Sequence, residues 1–216
     1  MTKAVLDVPL LSHNKRYHFF VRQGRKMERP EKKKRNLLIS DSISQDTVDD
    51  IITKVFEIND DDDLKESIYK DWVRDPIMLF INSCGGNVYS GLALFDVIKQ
   101  SRTPVYTICI GSCMSMGLWV WLAGRKRLVG DNATLMFHDI STFSIGKTEA
   151  VKQDLKETLR LQDMFIKTVV ETSTVREETL KDYITRKAEW FIPAAEAISM
   201  SLADGYYRTS DAEAGS

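Results

Sequence analysis

The sequence has no long apolar run. Its longest, Met114–Gly124, falls well short of the roughly 20 residues that a membrane helix needs, so no span is expected. The N-terminal stretch MTKAVLDVPLLSHNK also lacks the apolar core of a secretory signal. Cysteine is scarce, with three residues at Cys84, Cys109 and Cys113. An odd count without framework spacing argues against a disulfide scaffold and for a reducing, cytoplasmic compartment. No histidine cluster stands beside Cys109 and Cys113, so no metal site is expected. Histidine is equally rare, with His13, His18 and His138 the only three. The formal net charge is −1, which supplies no global field for nucleic acid or membrane. Neither an internal repeat nor a low-complexity tract is visible.

What is present suits one soluble domain. The chain has 216 residues, 43% of them hydrophobic and 28% charged, enough for a single sizeable core. The charges are uneven. Residues 15–35 hold ten Lys/Arg against two Glu, and residues 41–63 hold nine Asp/Glu against one Lys. Residues 1–35 are therefore expected to be a basic, partly flexible segment, and 208–216 a tail. The basic and acidic stretches could be solvated surface or a partner surface.

Between them the pattern alternates strand and helix. Asn36–Ile43 reads as a strand. Ser44 or Asp46 then caps a helix through about Ile58, with Val48, Ile51, Ile52 and Val55 at helical spacing, and Asn59–Asp63 breaks it. Ile77–Asn82 is an apolar strand expected to be covered on both faces. A helix from about Tyr89 to Gln100 follows, then a strand over Pro104–Ile110. The turn Gly111–Ser115 leads into a helix, Ser115–Gly124, that is apolar all round. Arg127–Val129 and Thr134–His138 read as strands. Lys147–Thr172 places Val151, Leu155, Leu159, Ile166 and Val170 on one stripe of a helix roughly 39 Å long. Thr174 caps another helix to about Arg186, and Pro193 opens the last. This order predicts an α/β fold with a mainly parallel sheet. The long helix should project or pack on another subunit.

Four segments carry possible chemistry. Ser83-Cys84-Gly85-Gly86 and Gly111-Ser112-Cys113-Met114-Ser115-Met116-Gly117 each lie between a strand and a helix; His138 ends a strand; Glu189-Trp190-Phe191 precedes the last helix. A serine hydroxyl needs a base to become a nucleophile. Ser115 stands where a strand turns into a helix, a place that exposes a side chain rigidly and favours negative charge. The Met116 N–H and an N–H at Gly86 could together hold an oxyanion. His138 is the base available from the folded core, and a third group should orient its ring. Each feature also has a plainer reading: a tight turn, a hydrogen-bonded structural histidine, a Gly-Gly connection or a phosphate site.

Together these segments resemble the ClpP family, the proteolytic subunits of the ATP-dependent Clp protease. Phe80–Gly86 is similar to that family's strand and Ser-Pro-Gly-Gly turn, Thr107–Gly117 to its nucleophile segment, Leu135–His138 to its histidine strand, and Phe191–Asp204 to its C-terminal region. The resemblance covers roughly residues 36–207. It implies Ser115 as nucleophile, His138 as general base, and Gly86 and Met116 as oxyanion donors. The family's third member is an aspartate two residues before an aromatic residue; here that position is Glu189. Asp182 is a fallback, and Asp139 should point to the other face of its strand. The implied fold is a crotonase/ClpP-like core of stacked β-sheets with helices, plus a protruding handle of a long helix and a short strand at about 140–172. The implied assembly is two heptameric rings stacked as a tetradecamer, fed with unfolded protein by an AAA+ unfoldase. ATP is then used by that partner, and this chain needs no cofactor. Departures point to a divergent or phage-type member: Cys84 replaces proline, Asp139-Ile140 replaces Gln-Pro, the N-terminal segment is longer and more basic, and Asp60–Asp75 looks inserted.

Other readings remain open at this point. A catalytically silent ring subunit would fit Glu189. A crotonase-superfamily acyl-CoA enzyme would share the core, and Cys113 or Cys84 could act as nucleophile. The basic segment has Lys32-Lys33-Lys34-Arg35 behind Tyr17, Phe19 and Phe20. It could dock a partner, line a pore or bind nucleic acid, the last being the weakest fit.

Overall fold

The structure is a computed structural model that describes residues 35–208. The expected flexible basic segment up to residue 34, and the tail from residue 209, lie outside the described residues.

Strand β1 (Asn36–Ile39) leads to helix α1 (Gln45–Ile68), β2 (Ile77–Ser83) and α2 (Val88–Gln100). Strand β3 (Val105–Met114), helix α3 (Met116–Trp121), β4 (Lys126–Val129) and β5 (Thr134–Phe137) follow. The long helix α4 (Thr148–Glu171), α5 (Glu177–Thr185), β6 (Trp190–Pro193), α6 (Ala194–Ser199) and β7 (Gly205–Tyr206) complete the chain. The strands form one sheet in the order β1-β2-β3-β4-β7, parallel throughout, with β5 and β6 branching from the far end of β3. The first half of β3 pairs with β4, and Ser112–Met114 pairs with β5 in parallel. Strand β6 then runs antiparallel to β5.

Period-two alternation explains the two sides of this sheet. Ile77, Leu79 and Ile81 of β2 join the main core beneath the helices, whereas Met78 belongs to a second cluster with Ile108 and Leu128. Phe80, Tyr106, Ile110 and Tyr207 only partly cover that second cluster.

Helix α1 was expected to stop near Ile58, but it continues through the acidic run to Ile68. Its buried stripe explains why: Val48, Ile51, Val55, Asn59 and Asp62 keep a strict three- or four-residue spacing, the signature of one helix face turned to a core. The last two are polar but fully partnered. Asn59 accepts from the Thr103 N–H (2.9 Å) and donates to Ser101 Oγ (2.9 Å). Asp62 accepts from Arg35, from Thr103 Oγ1 (2.7 Å) and from Trp72 Nε1 (3.1 Å). Ion pairs of Asp61 with Lys65 and of Asp63 with Arg74 relieve repulsion within the run.

Strand β3 also exceeds expectation, continuing through Met114 instead of turning at Gly111. Ile81 pairs with Cys109 but Ser83 pairs with Cys113, so β3 holds two extra residues there, a bulge. Asn82 Oδ1 fills it, accepting from the Ser112 N–H (3.1 Å). Gly111 takes φ 77°, and a Cβ there would lie 2.7 Å from that oxygen. Helix α3 is shorter than expected, with six residues, all buried. Helix α5 starts later than expected because Thr174 bonds to Met200 O through both its N–H (2.8 Å) and its hydroxyl (2.9 Å).

Helix α4 has 24 residues. Its second half is anchored by the buried Leu161, Phe165, Ile166 and Val169, while Val151, Leu155 and Leu159 of its first half are exposed. The short strand expected before it does not form: residues 140–147 are irregular, and among the described residues no strand is paired with them.

Candidate active site

Three chain segments converge beside the bulge. The first is the turn after β2. Gly85 (φ 107°) and Gly86 (φ 151°) adopt positive backbone angles, a region that favours glycine. Space requires it too, since a Cβ on Gly85 would lie 2.7 Å from Ser115 Cβ and one on Gly86 would lie 2.4 Å from Ile43 O. The Ile43 N–H donates to Gly85 O (2.8 Å), and the Asn87 N–H donates to Ile43 O (2.8 Å). That bridge uses the groups on either side of Gly86 and leaves the Gly86 N–H out of it. Asn87 then caps α2, its Oδ1 accepting from the Ser90 N–H at 2.9 Å, as a helix N-cap should.

The second segment is the β3–α3 corner. Ser115 sits at φ 53 and ψ -123 degrees. Such a conformation is rare for a residue with a Cβ and stores about 1–3 kcal/mol of strain. The corner is held on both sides: the Ser115 N–H donates to Met136 O (2.9 Å), and Ser115 O accepts from the Trp119 N–H (3.2 Å). Met116 is the first helical residue, so its N–H precedes the helical ladder. Glycine at 91 is what admits the Met116 side chain, because a Cβ there would lie 2.4 Å from Met116 Cγ.

The third segment is the end of β5, with His138 directly after Phe137. Gly86, Ser115, Met116 and His138 line one cavity of about 120 Å³. Trp119 and Phe165 also line it, their rings stacked at 4.8 Å and 12°. A larger cavity of about 490 Å³ adjoins it, sharing Gly86, Val88, Ile140 and Ser141 and reaching Tyr89 and Glu157. There Glu157 accepts from Tyr89 Oη (2.7 Å) and Arg160 Nε (2.7 Å). The Arg160 and Tyr89 bonds pull the Glu157 carboxyl down to about 2, and the Glu157 bond pushes the Tyr89 hydroxyl up.

The acids stand differently. Glu189 is exposed and does not line the small cavity. It lies one residue before β6, next to the last pair of the β5–β6 ladder, Phe137 with Trp190, while His138 lies one residue after β5. Asp182 is exposed on α5 and paired with Arg186 at 2.6 Å. Of the cysteines, Cys84 is exposed, whereas Cys109 and Cys113 are buried. Burial, reinforced by Cys109, pushes the Cys113 thiol well up, away from the thiolate that nucleophilic attack needs. Sequence reasoning missed Asn82, Trp119 and Phe165. The aromatic pair carries no local signal, since both residues read as ordinary helix core.

This is an α/β fold whose strained serine corner shares a cavity with a histidine. A profile of the Clp protease family matches residues 31–209. The chain belongs to that family. Among curated relatives, it is 34% identical over 131 residues to an ATP-dependent Clp protease proteolytic subunit of Deinococcus radiodurans, covering 59% of this chain and 63% of that protein. It is 28% identical over 173 residues to ATP-dependent Clp protease proteolytic subunit 2 of Prochlorococcus marinus (strain MIT 9313), covering 79% of this chain and 80% of that protein. Subunit 3 of Synechococcus sp. (strain CC9902) is 33% identical over 132 residues, covering 60% of this chain and 65% of that protein. Among the described residues no helix is long and apolar enough to cross a membrane.

Proposed function

We propose that the chain is a serine endopeptidase subunit of Clp type. The observation that carries this reading is the cavity that Ser115, held in its strained corner, shares with His138, Gly86 and Met116. His138 takes the Ser115 proton as Oγ attacks a peptide carbonyl. The Gly86 and Met116 N–H groups receive the oxyanion. His138 then protonates the leaving amine, and water, activated by the same ring, releases the acyl group. Glu189 orients the imidazole through its free nitrogen. These steps use side chains, backbone N–H groups and water alone. The adjoining cavity provides room for the substrate chain on either side of the scissile bond.

The same reading includes self-association into heptameric rings stacked as a tetradecamer. Phe143, Ile145, Val151, Leu155 and Leu159 support it, being large exposed apolar side chains of the kind that mark an interaction surface. Phe143 is 88% exposed. An AAA+ unfoldase would then feed the particle. A second reading, a ring subunit without turnover, rests on the exposed Glu189 in place of an acid buried against His138. Hydrolysis of short fluorogenic peptides by the purified particle decides between them. Turnover by the parent and none by a Ser115→Ala particle of the same size supports the peptidase; a folded ring with no turnover at any pH favours the silent subunit.

A further inference from the structure

We propose that Gln162 is a positioning residue for His138. The inference rests on reading Ser115 and His138 as the working pair. Strand β5, held by β3 on one side and β6 on the other, ends one residue before His138 at Phe137. Residues 138–147 form no helix or strand. The next tie along the chain is the Ile140 N–H, which donates to Gln162 Oε1 at 2.6 Å. Ile140 lines the same cavity as Ser115 and His138. The histidine is thus slung between a strand end and one side-chain amide of helix α4.

Three further observations single this contact out. Gln162 is 8% exposed, one of few polar side chains buried in the domain. Its Nε2 is buried with no hydrogen-bond partner among the described residues. A buried donor left unmatched is a cost that an apolar residue would avoid; the other end of the same amide holds the Ile140 N–H. One turn further along α4, Phe165 packs on Trp119 of the helix that follows Ser115 (4.8 Å) and on Phe137 just before His138 (5.0 Å). Helix α4 therefore touches the nucleophile's element and both flanks of the histidine; its polar contacts to the downstream side are Gln162 to the Ile140 backbone, two residues from His138, and Asp154 to the Ser144 hydroxyl, six residues away. The tie depends on a free N–H at residue 140, which an isoleucine has and a proline would lack.

The test compares Gln162→Met, which keeps length and volume but loses the acceptor, with Gln162→Glu, which keeps it. Two readouts are taken on the full chain: the rate of Ser115 modification by a fluorophosphonate, and hydrogen–deuterium exchange of the peptide spanning 138–142. Gln162→Met should slow modification at least tenfold, lower kcat for peptide hydrolysis with KM little changed, and speed exchange in 138–142. Gln162→Glu should stay within threefold of the parent in each. Modification of Gln162→Met at the parent rate, or an equal loss in both variants, overturns the positioning role. If the parent is itself not modified at Ser115, the peptidase reading fails. The exchange comparison still decides this inference, because unchanged exchange of 138–142 in Gln162→Met overturns it.

Discussion

Replacing Asp62 with alanine should destabilise the domain by about 4 kcal/mol, the middle of the range for breaking a buried ion pair. The carboxylate has no solvent exposure and accepts from both terminal nitrogens of Arg35, from Thr103 Oγ1 and from Trp72 Nε1. The Arg35 side chain is 8% exposed. Removing Asp62 takes the counter-ion from that guanidinium, which keeps its bond to Asp75 O (3.1 Å), and breaking a buried pair from one side costs about 3–5 kcal/mol. The Thr103 and Trp72 donors lose their acceptor in the same event, and their shares overlap with the first. At about 2–4 °C per kcal/mol for a domain of this size, the melting temperature should fall by about 8–16 °C. Thermal melts by circular dichroism at one fixed protein concentration would read this, since assembly contributes to apparent stability. Asp60 stands on the exposed side of the same run, and Asp60→Ala should change stability by less than about 0.5 kcal/mol. Arg35→Met combined with Asp62→Ala should recover most of the loss. The pH dependence has a definite sign. Burial alone would raise the Asp62 carboxyl, but the bonds from Arg35, Thr103 and Trp72 together with the Arg35 charge outweigh it and leave it lowered. A lowered carboxyl contributes stability above its ordinary titration range, and that contribution is lost as pH falls through the lowered value. Asp62→Ala should remove this part of the acid limb. A loss below about 1 kcal/mol at neutral pH, far under the cost of stranding a buried charge, would refute the picture of the acidic run as a buried, partnered node.

Three further outcomes bear on the site. A Cβ at Gly85 would stand 2.7 Å from Ser115 Cβ, at a φ of +107 degrees. Gly85→Ala should therefore displace the serine corner and cut peptide hydrolysis by about 100-fold or more; steady-state kinetics on a particle of unchanged size checks this. Because Glu189 is exposed, Glu189→Gln should lower kcat by at least about tenfold, less than the roughly 10⁴ of a fully buried triad aspartate; parent-like kcat would remove Glu189 from the mechanism. Iodoacetamide on the native protein should alkylate Cys84 and spare the buried Cys109 and Cys113, as read by peptide mass spectrometry, and Cys84→Ser should keep full activity.

The alternation of apolar strands with amphipathic helices was legible from local pattern, and so was the parallel sheet, because both depend on residues close in sequence. What escaped depends on distant partners. Asn59–Asp63 looks like a helix breaker until Thr103, Arg74 and Arg35 are brought beside it. The extra length of β3 depends on Asn82, 30 residues before Ser112, filling the bulge. The strand that the family resemblance implied near residues 140–147 finds no partner strand within this one chain among the described residues. At the site, Ser115 and His138 stand out by type and position, since few histidines compete and the serine marks a strand–helix junction. Gln162 does not stand out, because one polar residue within an amphipathic helix looks like solvent-facing surface until burial shows otherwise.

The most direct test of the central claim is reaction of the purified oligomer with a fluorophosphonate, followed by mass-spectrometric mapping of the adduct. The account predicts a single modified residue, Ser115, with modification lost in His138→Ala. No adduct on a well-folded oligomer, or an adduct at any other residue, would contradict it.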